Sequence, residues 1–272
     1  MKTTAIFFPF DLFGSAGTGE GVNLLADAFR EMLEDNRRER TPNRASGYTK
    51  HVIQKDFQFD DLGQYEGWQE KAREAVRQPF SKNQFLLWVT GNHLGTLPVY
   101  QELAQKEGSL VIQFDAHLDI HHFDECTKKP SHGNFMMHAK DPMPTIINVG
   151  HRELLLTAGH IKKYYQSVLP ADQFLADREA SLLYLQEAVL SADRVLIDID
   201  CDVFDPAFFP AVTNPMPFGL SPTQLLQTIN AIWSDQIVGF SISEFHSASD
   251  RDNISLTTLL WFLEYLLIKK HE

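Results

Sequence analysis

Cysteine is nearly absent from this chain of 272 residues: only Cys126 and Cys201 occur, too few for a disulfide framework. Positive charge is also short. Lysine and arginine total 24 against 36 aspartates and glutamates, a net charge of −12. That balance argues against a nucleic-acid groove or an anionic membrane surface as the main partner. Long apolar runs are missing as well. The densest, Leu259 to Ile268, is interrupted by Glu264, so no membrane span is expected. The opening stretch MKTTAIFFPFDLFG meets Asp11 before a leader core of normal length can form. A cytoplasmic protein is the expectation. The glycines of residues 13–19 (FGSAGTG) do not follow G-x-G-x-x-G spacing, and no Gly-Lys-Ser/Thr comes after them, which excludes a nucleotide-binding loop. No repeat, low-complexity tract or change of composition marks a boundary, so one domain is expected over residues 1–272.

Hydrophobic residues make up 43% of the chain, enough for a sizeable core. Thr4 to Phe10, Phe85 to Val89, Leu110 to Phe114, Thr145 to Val149, Arg194 to Ile199 and Ile237 to Ser243 read as short buried strands. Helical patterns lie between them. Val22 to Leu33 has apolar residues at helical spacing; Trp68 to Val76, Pro98 to Lys106 and stretches near 155–167 and 178–191 follow. Ser221-Pro222 opens another helix with an N-cap and a first-turn proline. A last helix sets Leu256, Leu259, Leu260, Leu263, Leu266 and Leu267 on a wide stripe. Residues 34–48, charged and holding Pro42 and Gly47, read as a solvated loop, and residues 121–144, with Pro130, Pro142 and Pro144, are loop-like. Wholly apolar strands alternating with helices predict a mostly parallel sheet covered on both faces, a three-layer α/β/α fold.

In such sheets ligands sit beyond the carboxyl ends of the strands. His93, Asp115, Asp200 and Glu244 each fall at or just past such an end. The Leu110 to Phe114 strand runs into Asp115-Ala116-His117-Leu118-Asp119, and alternation along an extended chain points the three polar side chains the same way. Their convergence is costly unless a cation satisfies them. The set His93, Asp115, His117, Asp119, Asp200 and Asp202 has two imidazoles, four carboxylates and no thiolate. It is too rich for one ion and suits two divalent ions, Mn²⁺ rather than structural Zn²⁺. Such a pair can activate water at neutral pH.

Four segments, in order, resemble the signatures of the ureohydrolase family (arginase, agmatinase and relatives). Thr90-Gly91-Asn92-His93 is similar to Gly-Gly-Asp-His, and residues 115–119 match Asp-Ala-His-x-Asp. Asp200-Cys201-Asp202-Val203-Phe204-Asp205-Pro206 matches Asp-x-Asp-x-x-Asp-Pro, and Ser243-Glu244-Phe245 resembles the late Glu at a strand end. The resemblance spans roughly residues 4–268 and implies an arginase-like fold with two Mn²⁺. It assigns His93, Asp115, Asp119 and Asp200 to one ion, and His117, Asp115, Asp200 and Asp202 to the other. Asp205-Pro206 sets the register of the third motif, so Asp198 falls within the strand and stays outside the ligand set. Ser131-His132-Gly133 looks like the family's Ser-His-Gly segment, which makes His132 the acid/base group for the leaving amine. Glu244 is implied to pair with the substrate guanidinium and Asp119 to orient the attacking water. The implied reaction is hydrolysis of a guanidino C–N bond, giving urea and an amine. The implied partners are a small guanidino substrate and further copies of the chain, as a trimer or hexamer. Arg152 and Asp250 match family positions that are structural.

Departures from the family pattern narrow the substrate. Asn92 and Thr90 replace the usual Asp and Gly, which changes the surroundings of His93. His121 stands where arginases carry an Asn that contacts the amino-acid end of the substrate; Lys128 and Pro130 also depart. An agmatinase or guanidino-acid ureohydrolase is therefore expected rather than a plain arginase. Two further readings stay open: a metal-binding member of the fold without catalysis, and an amide hydrolase of the deacetylase type.

Overall fold

The structure is a computed structural model and describes residues 1–59, 61–122, 128–140 and 142–272. Cys126 and the middle of the 121–144 loop lie outside the described residues. The expected strands all form, with small shifts at their ends: β1 (Thr3–Phe8), β3 (Phe85–Thr90), β4 (Ser109–Phe114), β5 (Thr145–Val149), β7 (Arg194–Asp200) and β8 (Ile237–Ser243). Two more, β2 (Val52–Asp56) and β6 (Ser167–Leu169), were not expected. They are the two edges of the sheet and are only partly buried, so neither needs an apolar run. The strand order is β2-β1-β3-β8-β7-β4-β5-β6. Every pairing is parallel, beyond the mostly parallel sheet expected.

Helices α1 (Thr18–Arg38), α2 (Trp68–Ser81), α3 (Leu97–Leu103), α4 (Phe135–His138), α5 (Ala158–Ile161), α6 (Ala171–Ala176), α7 (Arg178–Ser191), α8 (Pro222–Ile232) and α9 (Ile254–His271) complete the order. The 34–48 loop is a partial error. α1 continues through its charged end, where Arg38 donates to Glu34 one turn back, and a short 3₁₀ turn follows at Arg44–Gly47. The helix expected near 155–167 is another. Only Ala158–Ile161 is helical, and the segment ends as β6 because pairing with β5 outweighs local preference. At α8 the capping box is complete: Ser221 and Gln224 bond each other's backbone N–H groups.

Alternate strand residues face opposite layers. Phe7, Leu87, Ile112 and Ile197 pack with α1, α7, α8 and α9, whereas Phe8, Trp88, Val111 and Leu196 pack with α2 and α3. This is the expected three-layer arrangement. Among the described residues no helix is long and apolar enough to cross a membrane. The consequence for function lies in the order β3-β8-β7-β4. Four central neighbours bring residues far apart in the chain to one edge.

Candidate metal centre

His93 opens the turn after β3, Asp115 leaves β4, Asp200 closes β7, and Glu244 follows β8. His93 Nδ1 lies 3.1 Å from Asp115 Oδ2, 2.9 Å from Asp119 Oδ2 and 3.2 Å from Asp200 Oδ2. One ring nitrogen carries at most one proton, so it cannot satisfy three carboxylates. His93 Nδ1, Asp115 Oδ2 and Asp119 Oδ2 are buried without hydrogen-bond partners. Beside them, His117 Nδ1 lies 2.8 Å from Asp202 Oδ2. The ligand atoms of His93, Asp115 and Asp200 lie within 4.8 Å of one another, as do those of Asp115, His117 and Asp202. Asp115 is common to both groups.

Backbone donors hold this geometry. His117 N donates to Asp115 Oδ1 at 2.6 Å, Asp202 N to Asp200 Oδ1 at 3.0 Å, and Ala116 N to Asp202 Oδ1 at 3.1 Å. Convergence of residues 115–119 does not come from an extended chain, as alternation suggested. The strand stops at Phe114, and Asp119 turns back with φ 51°. Arg152 N and Tyr165 Oη donate to the Ala116 and Leu118 carbonyls and fix that turn.

The electrostatics are those of a crowd of like charges. Burial and the neighbouring Asp119 carboxylate push the Asp115 carboxyl well above the usual range; burial and Asp202 do the same for Asp200. Burial opposes the His117 imidazolium, but Asp202 and its hydrogen bond prevail and push His117 up to about 10. Asp115, Asp200 and His117 hold protons firmly because positive charge is short. Against burial, the His117 imidazolium holds Asp202 below its usual range. Its donors are nitrogen and oxygen only, because the Cys201 thiol is buried in the core cluster on the other face of β7. Orphaned oxygens, like-charge crowding and donor type all fit divalent cations.

Asp198 was left outside the site and belongs beside it. Its Oδ2 lies 2.7 Å from His93 Nε2 and accepts from Tyr100 Oη at 2.5 Å, while Ser241 Oγ donates to its other oxygen. A carboxylate behind an imidazole fixes the ring and raises its basicity. Asp198→Asn is expected to weaken metal binding by about 10–100-fold, read by manganese titration. An unchanged affinity would remove Asp198 from this role. The only sequence signal was an Asp two residues before Asp200 in an otherwise apolar strand.

Glu244 and His132 line the same cavity of about 520 Å³ as His93, Asp119 and Asp202. Glu244 is buried, with φ 64°; its N–H donates to the Gly91 carbonyl and its Oε1 accepts from His93 N at 2.9 Å. Burial pushes its carboxyl up to about 7, against donation from Ser15 and the charge of His132. His132 is half-buried, its ring against Gly14, where a β-carbon would meet Nδ1 at 1.6 Å. Thr90, in place of the family's glycine, is accommodated because residue 95 is glycine: a β-carbon there would lie 2.0 Å from Thr90 Oγ1. Asn92 Nδ2 donates to the Leu12 and Gly14 carbonyls at 2.8 and 2.9 Å.

On the far wall His121 Nε2 pairs with Glu153 Oε1 in a short contact, and Leu118 N donates to Glu153 Oε2. Glu153 was not anticipated. Arg152 is structural, as implied: its guanidinium donates to the Gly150, Val203, Asp202 and Met216 carbonyls. Asp250 accepts from Ser255 N and Leu256 N at the start of α9. A second cavity of about 330 Å³, lined by Leu225, Leu226 and Phe262 among others, has no acid or imidazole among the described residues of its wall.

The fold and this cluster define a class. The sequence model of the arginase family matches residues 2–268, and the chain belongs to that family. It is 26% identical over 256 residues to an agmatinase of Photorhabdus laumondii, covering 91% of this chain and 80% of that one. It is 29% identical over 184 residues to a formimidoylglutamase of Halobacterium salinarum, covering 65% and 59%. The crystal structure of arginase from Bacillus subtilis superposes with a TM-score of 0.78 at 21% identity, covering 98% of each chain, which shows a shared fold.

Proposed function

We propose that this chain is a metal-dependent ureohydrolase, a single domain over residues 1–272 that cleaves a guanidino C–N bond to give urea and an amine. The observation that carries this reading is the ring of three carboxylate oxygens about His93 Nδ1, with the buried Glu244 carboxylate in the same cavity. His93, Asp115, Asp119 and Asp200 would hold one ion and His117, Asp115, Asp200 and Asp202 the other, with Mn²⁺ favoured by the all-oxygen-and-nitrogen donor set. When bound, the ions supply an activated water at neutral pH and neutralise the carboxylates. Glu244 would accept hydrogen bonds from the guanidinium in a charge-assisted contact, and Asp119 would accept one from the attacking water and so orient it. His132 protonates the departing amine. Its Nδ1 lies 3.4 Å from the Phe13 carbonyl, which leaves Nε2 for that transfer.

The walls favour an agmatine-like substrate over arginine or a guanidino acid. Among the described residues lining the cavity there is no lysine or arginine. The nearby Arg152 is committed to backbone carbonyls and His121 to Glu153. Nothing described presents a permanent cation to a substrate carboxylate; Leu155, Met216 and Asn214 stand there instead. With Mn²⁺, agmatine should give the highest kcat/KM for urea release in a panel with arginine and ω-guanidino acids. Arginine as the fastest substrate would refute the specificity. Bound metal with no urea from any compound would favour a binding role, and acetate from acetylated amines would favour the deacetylase type.

A further inference from the structure

The chain departs from its family at Asn92, and the structure gives that departure a use. Asn92 is fully buried. Its amide nitrogen donates to two carbonyls of one loop, Leu12 at 2.8 Å and Gly14 at 2.9 Å. A carboxylate has no hydrogen to give, so an ionised Asp at this position would face those two carbonyls with repulsion. The loop between them is Phe13, whose carbonyl accepts from His132 N at 3.3 Å. Gly14 lies against the His132 ring so closely that only glycine fits. The next residue, Ser15, receives a bond from Thr213 Oγ1 at 3.1 Å. The loop is closed from its other side by Asp11, which accepts from Gly17 N and Gly19 N.

We infer that Asn92 is a positioning residue: it pins residues 12–15 as a strap, and the strap holds His132 in place in the wall of the substrate cavity. The inference rests on the ureohydrolase reading for its effect on rate, though not for the anchoring itself. It also predicts that restoring the family's residue would harm this protein. Asp at 92 suits other members only if their loop offers it a donor; here the loop offers two acceptors.

The test uses the full chain loaded with Mn²⁺, in wild type, Asn92→Ala and Asn92→Asp. Hydrogen exchange of peptides covering residues 10–17 should speed up by about 10-fold or more in both variants, because two buried hydrogen bonds are lost. Carbethoxylation of His132 by diethyl pyrocarbonate, read by peptide mass, should accelerate, since the ring loses its cover. The kcat/KM for urea release should fall on the order of 10–10²-fold, as misplacement of reacting groups does, while manganese content stays level. Unchanged exchange over 10–17 would overturn the anchoring. Faster exchange with unchanged His132 reactivity would overturn the positioning. Manganese lost in step with activity would mean that Asn92 acts through His93 instead. If wild type releases no urea, the ureohydrolase reading fails, and exchange and His132 reactivity still decide the strap. Should Asn92→Asp not fold, Asn92→Ser, smaller and able to donate one bond, gives the same readings with an intermediate change.

Discussion

Asp115→Asn is expected to strip manganese from the protein and to lower kcat/KM by on the order of 10²–10³-fold or more, as loss of a major electrostatic element does. Asp115 belongs to both groups of converging ligand atoms. Its Oδ1 accepts from His117 N at 2.6 Å, a bond that an amide oxygen keeps, so the turn should survive. What is lost is charge at the place where His93 Nδ1 and two other carboxylates meet. Metal analysis after gel filtration reads the outcome, and unchanged manganese would exclude Asp115 from the site.

The same substitution should act with opposite sign on chelator-treated protein. There, burial and Asp119 hold the Asp115 carboxyl well above the usual range. An acid whose folded pKa exceeds its unfolded value costs stability as pH rises from about 4 through the folded value, because the native state binds the extra proton. Asparagine does not titrate and escapes that loss. At neutral pH the chelated variant should therefore melt higher than chelated wild type, by about 2–4 °C for each kcal/mol relieved. A lower melting temperature would contradict the like-charge crowding described above.

Glu244→Gln is the second large effect. On the proposed reading, a substrate guanidinium brought into this cavity loses water, and the buried Glu244 carboxylate would be its compensating charge. Removing one partner of a buried charge pair costs about 2–5 kcal/mol, on the order of 10²–10³-fold in kcat/KM. Glutamine keeps the oxygen that accepts from His93 N at 2.9 Å, so manganese content should not change. Metal lost along with activity would instead make Glu244 a ligand. Thermal shift with a guanidinium ligand separates the two outcomes without turnover.

Much of the site was legible because strand ends are local features. An apolar run that stops at an acid or imidazole marks a carboxyl end whatever its neighbours are, and His93, Asp115, Asp200 and Glu244 were readable that way. Asp119 was readable as a residue but not by the geometry that delivers it, since the chain turns at φ 51° instead of staying extended. The edge strands β2 and β6 were not readable. Partly buried edges carry no apolar run, and only pairing to β1 and β5 makes them strands.

The sequence by itself determined which acids and imidazoles stand at strand ends, in what order, and that they outnumber the ligands one ion needs. It also determined the alternation of apolar strands and helices, from which a layered parallel sheet follows. The tertiary structure alone decided what those residues touch. Asp198 lies behind His93, Asn92 grips the loop after β1, and Glu153 takes up His121. These pairs arise because β3 lies between β1 and β8, with β7 next beyond, and because β4 and β5 are neighbours in the sheet. Strand order is set by how all the apolar faces bury together, and no local stretch of residues encodes it.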